Sequence, residues 1–170
     1  MVTISLEELR FTFKPDPIRV LFIGESPPAG GTFFYKADSN LFRYTQEAFS
    51  NVYDEKCGLG TDFLRFFKSI GCYLDDLCLE PINKLDKPTR LRKRSDAVPS
   101  LAERIRVANP RSIVVVMKAI MENVQEAIDI TRIDRVPTYY LPFPAQSNQR
   151  KYVNSLIATI QRLRETTILP

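Results

Sequence analysis

The segment Gly24-Glu25-Ser26-Pro27-Pro28-Ala29-Gly30-Gly31 puts a carboxylate and a hydroxyl on a turn shaped by proline and glycine, directly after the apolar run Val20-Leu21-Phe22-Ile23. Gly30 and Gly31 open backbone conformations closed to other residues, so amide groups there can approach a ligand closely. Phe33, Phe34 and Tyr35 follow in the same loop. A flat ring beside such a turn suits a stacked ligand such as a nucleobase. The same rings also read as a hydrophobic plug beneath a turn. Neither G-x-x-x-x-G-K-[ST] nor G-x-G-x-x-G fits these glycines, so this is not a familiar phosphate loop. The sequence contains no histidine. That excludes Ser-His and Cys-His nucleophile pairs, an imidazole base and His-ligated metal sites, and leaves the chemistry to carboxylates, hydroxyls, amides, Lys and Arg.

These groups need elements to hold them. Val20 to Ile23, stopped by Gly24, reads as a strand buried on both faces. Asp38 or Ser39 can cap a helix carrying Leu41, Phe42, Phe49 and Val52, and a second helix is predicted over 62–70 with Phe63, Phe66, Phe67 and Ile70 on one stripe. Residues 73–79 read as a second strand despite Asp75 and Asp76. The stretch 81–98, with Pro81, Pro88, Lys84, Lys87, Arg90, Arg92, Lys93 and Arg94, predicts an exposed, flexible loop. Ser100 and Glu103 then suit a capping box for a helix ending near Asn109-Pro110. A third strand is predicted over 112–117, a helix over 119–130, a short strand over 138–141, and a last helix with Tyr152, Leu156, Ile160 and Leu163 on its inner face.

Strands alternating with helices imply βαβ units and a parallel sheet covered on both sides. The expected architecture is one α/β domain over 1–170, a three-layer α/β/α sandwich around a mainly parallel four-stranded sheet. Ligands bind such sheets at the carboxyl ends of the strands, which selects the loops starting at Gly24, Leu79, Lys118 and Pro142.

Composition sets wider bounds. The 170 residues are 44% hydrophobic and 26% charged, enough for one core, and carry 24 basic against 20 acidic side chains, so any polyanion footprint must be local. The three cysteines, Cys57, Cys72 and Cys78, form no C-x-x-C pair and predict free thiols in a reducing cytosol. No apolar run of about 18 residues suggests a membrane span, so a cytoplasmic location is expected, nucleoid-associated if the chain binds DNA.

The segment 20–49, VLFIGESPPAGGTFFYKADSNLFRYTQEAF, resembles the opening motif of the uracil-DNA glycosylase superfamily, in which a strand runs into Gly-x-x-Pro and an aromatic residue stacks on a flipped base. The spacing to Asn40 and Phe42 is similar to the mismatch-specific uracil/thymine DNA glycosylases. YLDDLCLEPIN (73–83) resembles the second strand of that family, SIVVVMKAI (112–120) its third strand, and LPFPAQSNQRKY (141–152) its second catalytic motif, all in the same order. The resemblance spans residues 18–165.

What the resemblance implies is uneven along the chain. Gly24 and Pro27 match the turn, and Glu25 matches the glutamate of the Gly-Glu-Ala-Pro-Gly version. Ser26 falls where other members place the Asp or Asn that handles water. Phe33 or Phe34 would stack on the base. Asp76 falls where an Asn reads the base edge, turning a donor-acceptor group into an acceptor while ionised. Leu141 takes the place of a His or Asn, and the four cysteines of the iron–sulfur branches are missing, so neither a metal nor another cofactor is implied.

The expectation is a monomeric DNA glycosylase-like hydrolase acting on uracil or a related base. Glu25 and Ser26 would be its catalytic residues, and Gly24, Pro27, Phe33, Phe34, Asn40 and Asp76 would hold the base. Ser147, Asn148, Arg150 and Lys151 would contact DNA, since helix N-termini and Arg side chains suit phosphates. Blander readings stand beside these: a solvated loop carboxylate for Glu25, a capping or ion-pair role for Asp75 and Asp76, simple capping for Ser147, and a charged surface for the basic run. The alternative functions are a non-catalytic DNA- or nucleobase-binding protein and a hydrolase of free nucleosides or nucleotides.

Overall fold

The computed structural model describes residues 4–133 and 135–170. In chain order the elements are α1 (Leu6–Thr12), β1 (Val20–Gly24), α2 (Asn40–Tyr53), α3 (Thr61–Ser69), β2 (Cys72–Asp76), α4 (Lys87–Ala108), β3 (Ser112–Val115), α5 (Met121–Thr131), β4 (Thr138–Tyr140) and α6 (Gln149–Glu165). The four strands form one parallel sheet in the order β2-β1-β3-β4. Every residue of β1, β2 and β3 is buried, which is why β1 and most of β3 read as apolar runs rather than as alternating patterns, whereas β2 buries Asp75 and Asp76 at its end.

Side chains alternate across the sheet, so successive residues of β1 serve opposite layers. Phe22 packs on Phe49 of α2 and, at 5.1 Å between ring centroids, on Phe67 of α3. Leu21 faces the other side, where it borders a cavity shared with Ala108 of α4. Helix α2 packs on α6 and α4 on α5, completing the α/β/α sandwich. Phe34, Phe42, Phe49, Phe63 and Phe67 join into one aromatic cluster, and each such ring pair contributes about 0.5–1.5 kcal/mol beyond its buried area.

The stretch 81–98 is largely helix, not loop. Asp86 caps α4 by accepting the Thr89 N–H at 3.1 Å, and Pro88 sits in the first turn, where a missing N–H costs nothing. Its Lys and Arg residues are good helix formers, so a dense charge run does not oppose helicity. The helix runs unbroken through Pro99 and ends at an Asn109 in the left-handed conformation, with Val98, Leu101, Ala102 and Ile105 on the buried face. The expected capping box therefore does not exist: Ser100 lies inside the helix, and Glu103 accepts from Arg106 Nε at 2.8 Å.

Two further features lie outside the expectations. Helix α1 is started by a capping box of its own, Ser5 with Glu8, and its Arg10 is 98% buried against the end of β2. The strand β2 stops at Asp76, three residues short of the expected limit, although the backbone N–H groups of Leu77 and Cys78 still bond the carbonyls of Gly24 and Glu25 and hold the following turn against the end of β1. On the outer edge of β2, the Tyr35 hydroxyl accepts the Leu74 N–H at 2.7 Å and donates to the Leu74 carbonyl at 2.9 Å.

Candidate functional site

Gly24 and Asp76, the last residues of β1 and β2, are partners in the parallel register. That level of the sheet is the floor of a cavity of about 280 Å³ at the carboxyl ends of the strands, near the lower limit of small-molecule sites, roughly 300–1,000 Å³. Gly24, Glu25, Ser26, Pro27, Phe33, Phe34, Asn40 and Asp76 all line it. Every residue carried over for catalysis and base binding is thus in one wall. The loop after Leu141 reaches the cavity through Phe143, while Leu141 itself is buried.

Gly24 has a steric reason to be glycine. A Cβ there would stand 2.5 Å from Asp76 Oδ1, so any side chain would displace the carboxylate. Asp76 Oδ2 accepts from Arg10 Nη2 at 2.8 Å, whereas Oδ1 accepts no hydrogen bond among the described residues. Asp75 takes Arg10 Nη1 at 3.2 Å on Oδ1 and Arg104 on Oδ2, and Arg104 also donates to the carbonyls of Asp76, at 2.9 Å, and Leu77. Burial pushes the Asp76 carboxyl above its ordinary value, and the Arg10 charge offsets this only in part. The ion-pair reading and the cavity reading of Asp76 therefore both describe it, one for each oxygen. Arg10 Nε and Arg104 Nε are buried without a hydrogen-bond partner among the described residues. A buried network left incomplete in this way is weak support for stability.

Glu25 is not a solvated loop carboxylate. Arg90 Nε and Arg94 Nε donate to its Oε1 at 2.7 and 2.6 Å, and Arg90 Nη2 reaches Oε2. Burial alone would raise the carboxyl, but these two guanidinium groups hold it below its ordinary value. Glu25 is thus ionised and oriented, with most of its lone pairs engaged. Ser26 Oγ accepts the Ile82 N–H at 3.3 Å, which leaves its own proton free to be donated. Asn40 opens α2 and lies exposed at the rim.

Phe33 and Phe34 are both cavity lining and core. Phe33 carries the Arg10 guanidinium 5.3 Å from its ring centroid, and Phe34 packs edge-on against Tyr35 and Phe42. The plug reading holds for their burial, and the stacking reading needs only the ring surface that faces the cavity. Tyr35 belongs to the sheet edge rather than to the cavity wall.

A second, open cavity of about 900 Å³ adjoins the first through Arg90, Met117 and Phe143. Asn148 and Lys151 line it, but Ser147 and Arg150 do not. Arg150 donates to Glu47 at 2.6 Å on the exposed surface. Ser147 is exposed with φ at 69°, and Asn148 takes the N-cap of α6 without a side-chain cap bond, so the expected capping by Ser147 is not made. Asn83, Arg90, Met117 and Phe143 are cavity residues that motif spacing does not mark. Arg10, Arg94 and Arg104 act on the wall from behind.

Among the described residues no group of three His, Cys, Asp or Glu could hold a metal ion, and no helix is long and apolar enough to cross a membrane. The three cysteines are free and buried. No protein-family model matches the chain, and no curated protein matches it.

Proposed function

We propose that this chain is a DNA glycosylase-like hydrolase that takes a flipped uracil or related base into the 280 Å³ cavity and cleaves its N-glycosidic bond. The observation that carries the reading is the convergence of Gly24, Glu25, Ser26, Phe33, Phe34 and Asp76 on one cavity at the carboxyl ends of parallel strands. A base inside a duplex cannot reach such a cavity, so the nucleotide must be extruded first. The ring of Phe33 or Phe34 then supports the base face, and Asp76 Oδ1 accepts an N–H from its edge. Cleavage builds positive charge on the sugar and negative charge on the departing base. Glu25 supplies the carboxylate for water, and Ser26 a hydroxyl to position it.

A second reading is favoured by one observation, the engagement of Glu25 by two arginines. It is a protein that binds a base or DNA on the same fold without cleaving it. Incubation with single- and double-stranded oligonucleotides containing uracil, hypoxanthine, xanthine or a G·T mismatch, followed by alkaline scission of abasic sites, separates the two. Release that disappears in Glu25→Gln supports the hydrolase. Salt-dependent binding without release supports the binding protein. Absence of binding at ordinary salt rejects both and leaves a hydrolase of free nucleosides or nucleotides.

A further inference from the structure

We propose that the open 900 Å³ cavity is a phosphate subsite, and that a phosphate seated there draws Arg90 off Glu25 and frees the carboxylate for water. The inference rests on the glycosylase reading for its chemistry, but not for the subsite itself. Arg90, Lys118 and Lys151 line this cavity together with Gln146, Asn148 and Asn154, and no Asp or Glu is among the described residues lining it. The ligand class is therefore a phosphate ester. Arg90 is the charged residue common to both cavities, so a phosphate beside it belongs to the nucleotide whose base occupies the smaller one.

The two arginines on Glu25 are not equivalent. The Arg94 side chain is 10% exposed and also donates to the Ala119 carbonyl at 3.2 Å, so it is anchored twice. The Arg90 side chain is 28% exposed, and Glu25 is its hydrogen-bond partner among the described residues. Arg94 meets Glu25 on Oε1, whereas Oε2 is held by Arg90 alone. A guanidinium fork fits phosphate as it fits carboxylate, so Arg90 can exchange one for the other. Arg94 then keeps Glu25 oriented while Oε2 opens to a water. That water's oxygen bonds C1′ and its proton passes to Oε2. The C1′–N bond breaks with its electron pair going to the base, and the proton then moves to the base nitrogen. The products are the free base and a sugar hemiacetal. A nucleoside without phosphate leaves Arg90 on Glu25 and is not cleaved.

The test is calorimetric titration of the whole chain with inorganic phosphate at constant ionic strength. The wild type should bind, and Lys118→Ala and Lys151→Ala should each weaken binding. Glu25→Gln should tighten it by about tenfold, because the carboxylate competing for Arg90 is gone. Failure of phosphate to bind, or an affinity in Glu25→Gln no higher than in the wild type, overturns the proposal. Where Glu25→Gln does not fold, Arg90→Gln decides: a loss of about tenfold is expected, and unchanged affinity overturns the proposal. Cleavage assays form the second arm, using the nucleoside, the nucleotide and the oligonucleotide of whichever base is released. Cleavage of the nucleotide or oligonucleotide but not the nucleoside supports the latch, and the more reactive of the two identifies a monoester or diester ligand. Equal cleavage of nucleoside and oligonucleotide sinks the latch and leaves the glycosylase. Phosphate binding with the Glu25→Gln gain, but no base released from any substrate, sinks the glycosylase and leaves the subsite.

Discussion

Arg10 and Asp76, 66 positions apart in sequence, meet inside the protein, with Nη2 of the first donating to Oδ2 of the second at 2.8 Å. The pairing divides the carboxylate: one oxygen is tied to α1 and the other is presented over Gly24 to the cavity. A residue near the start of the chain thereby fixes the group proposed to read the base.

Truncation of Arg10 should be costly. Arg10→Ala strips two buried carboxylates of a counter-ion, and removing one partner of a buried pair costs about 3–5 kcal/mol. Arg65→Ala, which breaks an exposed pair with Asp62, should cost no more than about 1 kcal/mol. Urea unfolding of the two variants measures the contrast, and equal losses would refute it.

Gly24→Ala should damage the site more than the fold. The new methyl group collides with Asp76 Oδ1, and because Oδ2 is tied to Arg10 the carboxylate can turn aside only by straining that pair, so the stability loss should be about 1–3 kcal/mol. Base release should fall far more than that loss explains, because the displaced oxygen is the one facing the cavity. A folded variant with undiminished release would show that Asp76 Oδ1 is not used.

Acid should affect Glu25 and Asp76 in opposite senses. Folding holds Glu25 below its ordinary 4.5, so the stability it contributes is present above pH 4.5 and is lost as pH falls through its lower folded value. Folding raises Asp76 above its ordinary 3.8, so its contribution is present below pH 3.8 and is lost as pH rises through the folded value. Urea unfolding between pH 3 and 7 should show the deficit of Glu25→Gln shrinking toward acid. Asp76→Asn should gain on the wild type as pH rises. Differences that stay flat across the range would contradict both assignments.

Oligonucleotide binding should carry the signature of the open cavity. Lys118→Ala and Lys151→Ala should each reduce the dependence of log affinity on log salt by about one unit, as expected for the loss of one phosphate contact. Arg150→Ala, whose side chain is paired with Glu47 outside that cavity, should leave the slope nearly unchanged. Slopes that fail to separate these variants would move the DNA path elsewhere.

The sheet was legible because β1 and β3 are buried on both faces and spell largely apolar runs, while β2 shows only Cys72, Tyr73 and Leu74 before its two buried carboxylates. The rule that ligands bind at carboxyl ends selects Gly24 and Glu25 without knowledge of any side-chain contact, whereas Asp76 is marked by the family resemblance, because the strand that ends at it reads in sequence as running on to residue 79. Helix α4 was hidden by its own charge density, although Asp86 followed by Pro88 is a helix-start signal. Read as helix, the spacing of Arg90 and Arg94 places both on one face, where they can share one carboxylate. The role of Arg10 could not be read locally at all. Ser5 and Glu8 announce α1, but the partners of Arg10 lie 65 and 66 positions away and are chosen by tertiary packing.

The bonds of the Tyr35 hydroxyl to both backbone groups of Leu74 bear on how the molecule meets copies of itself. β2 ends the sheet, and an uncovered terminal strand is a template onto which a second chain can add by backbone pairing. Tyr35 occupies that template at its centre with a side chain, so strand addition at this edge must first displace a buried phenol. The Leu74 backbone groups that such pairing would use are already taken by that phenol.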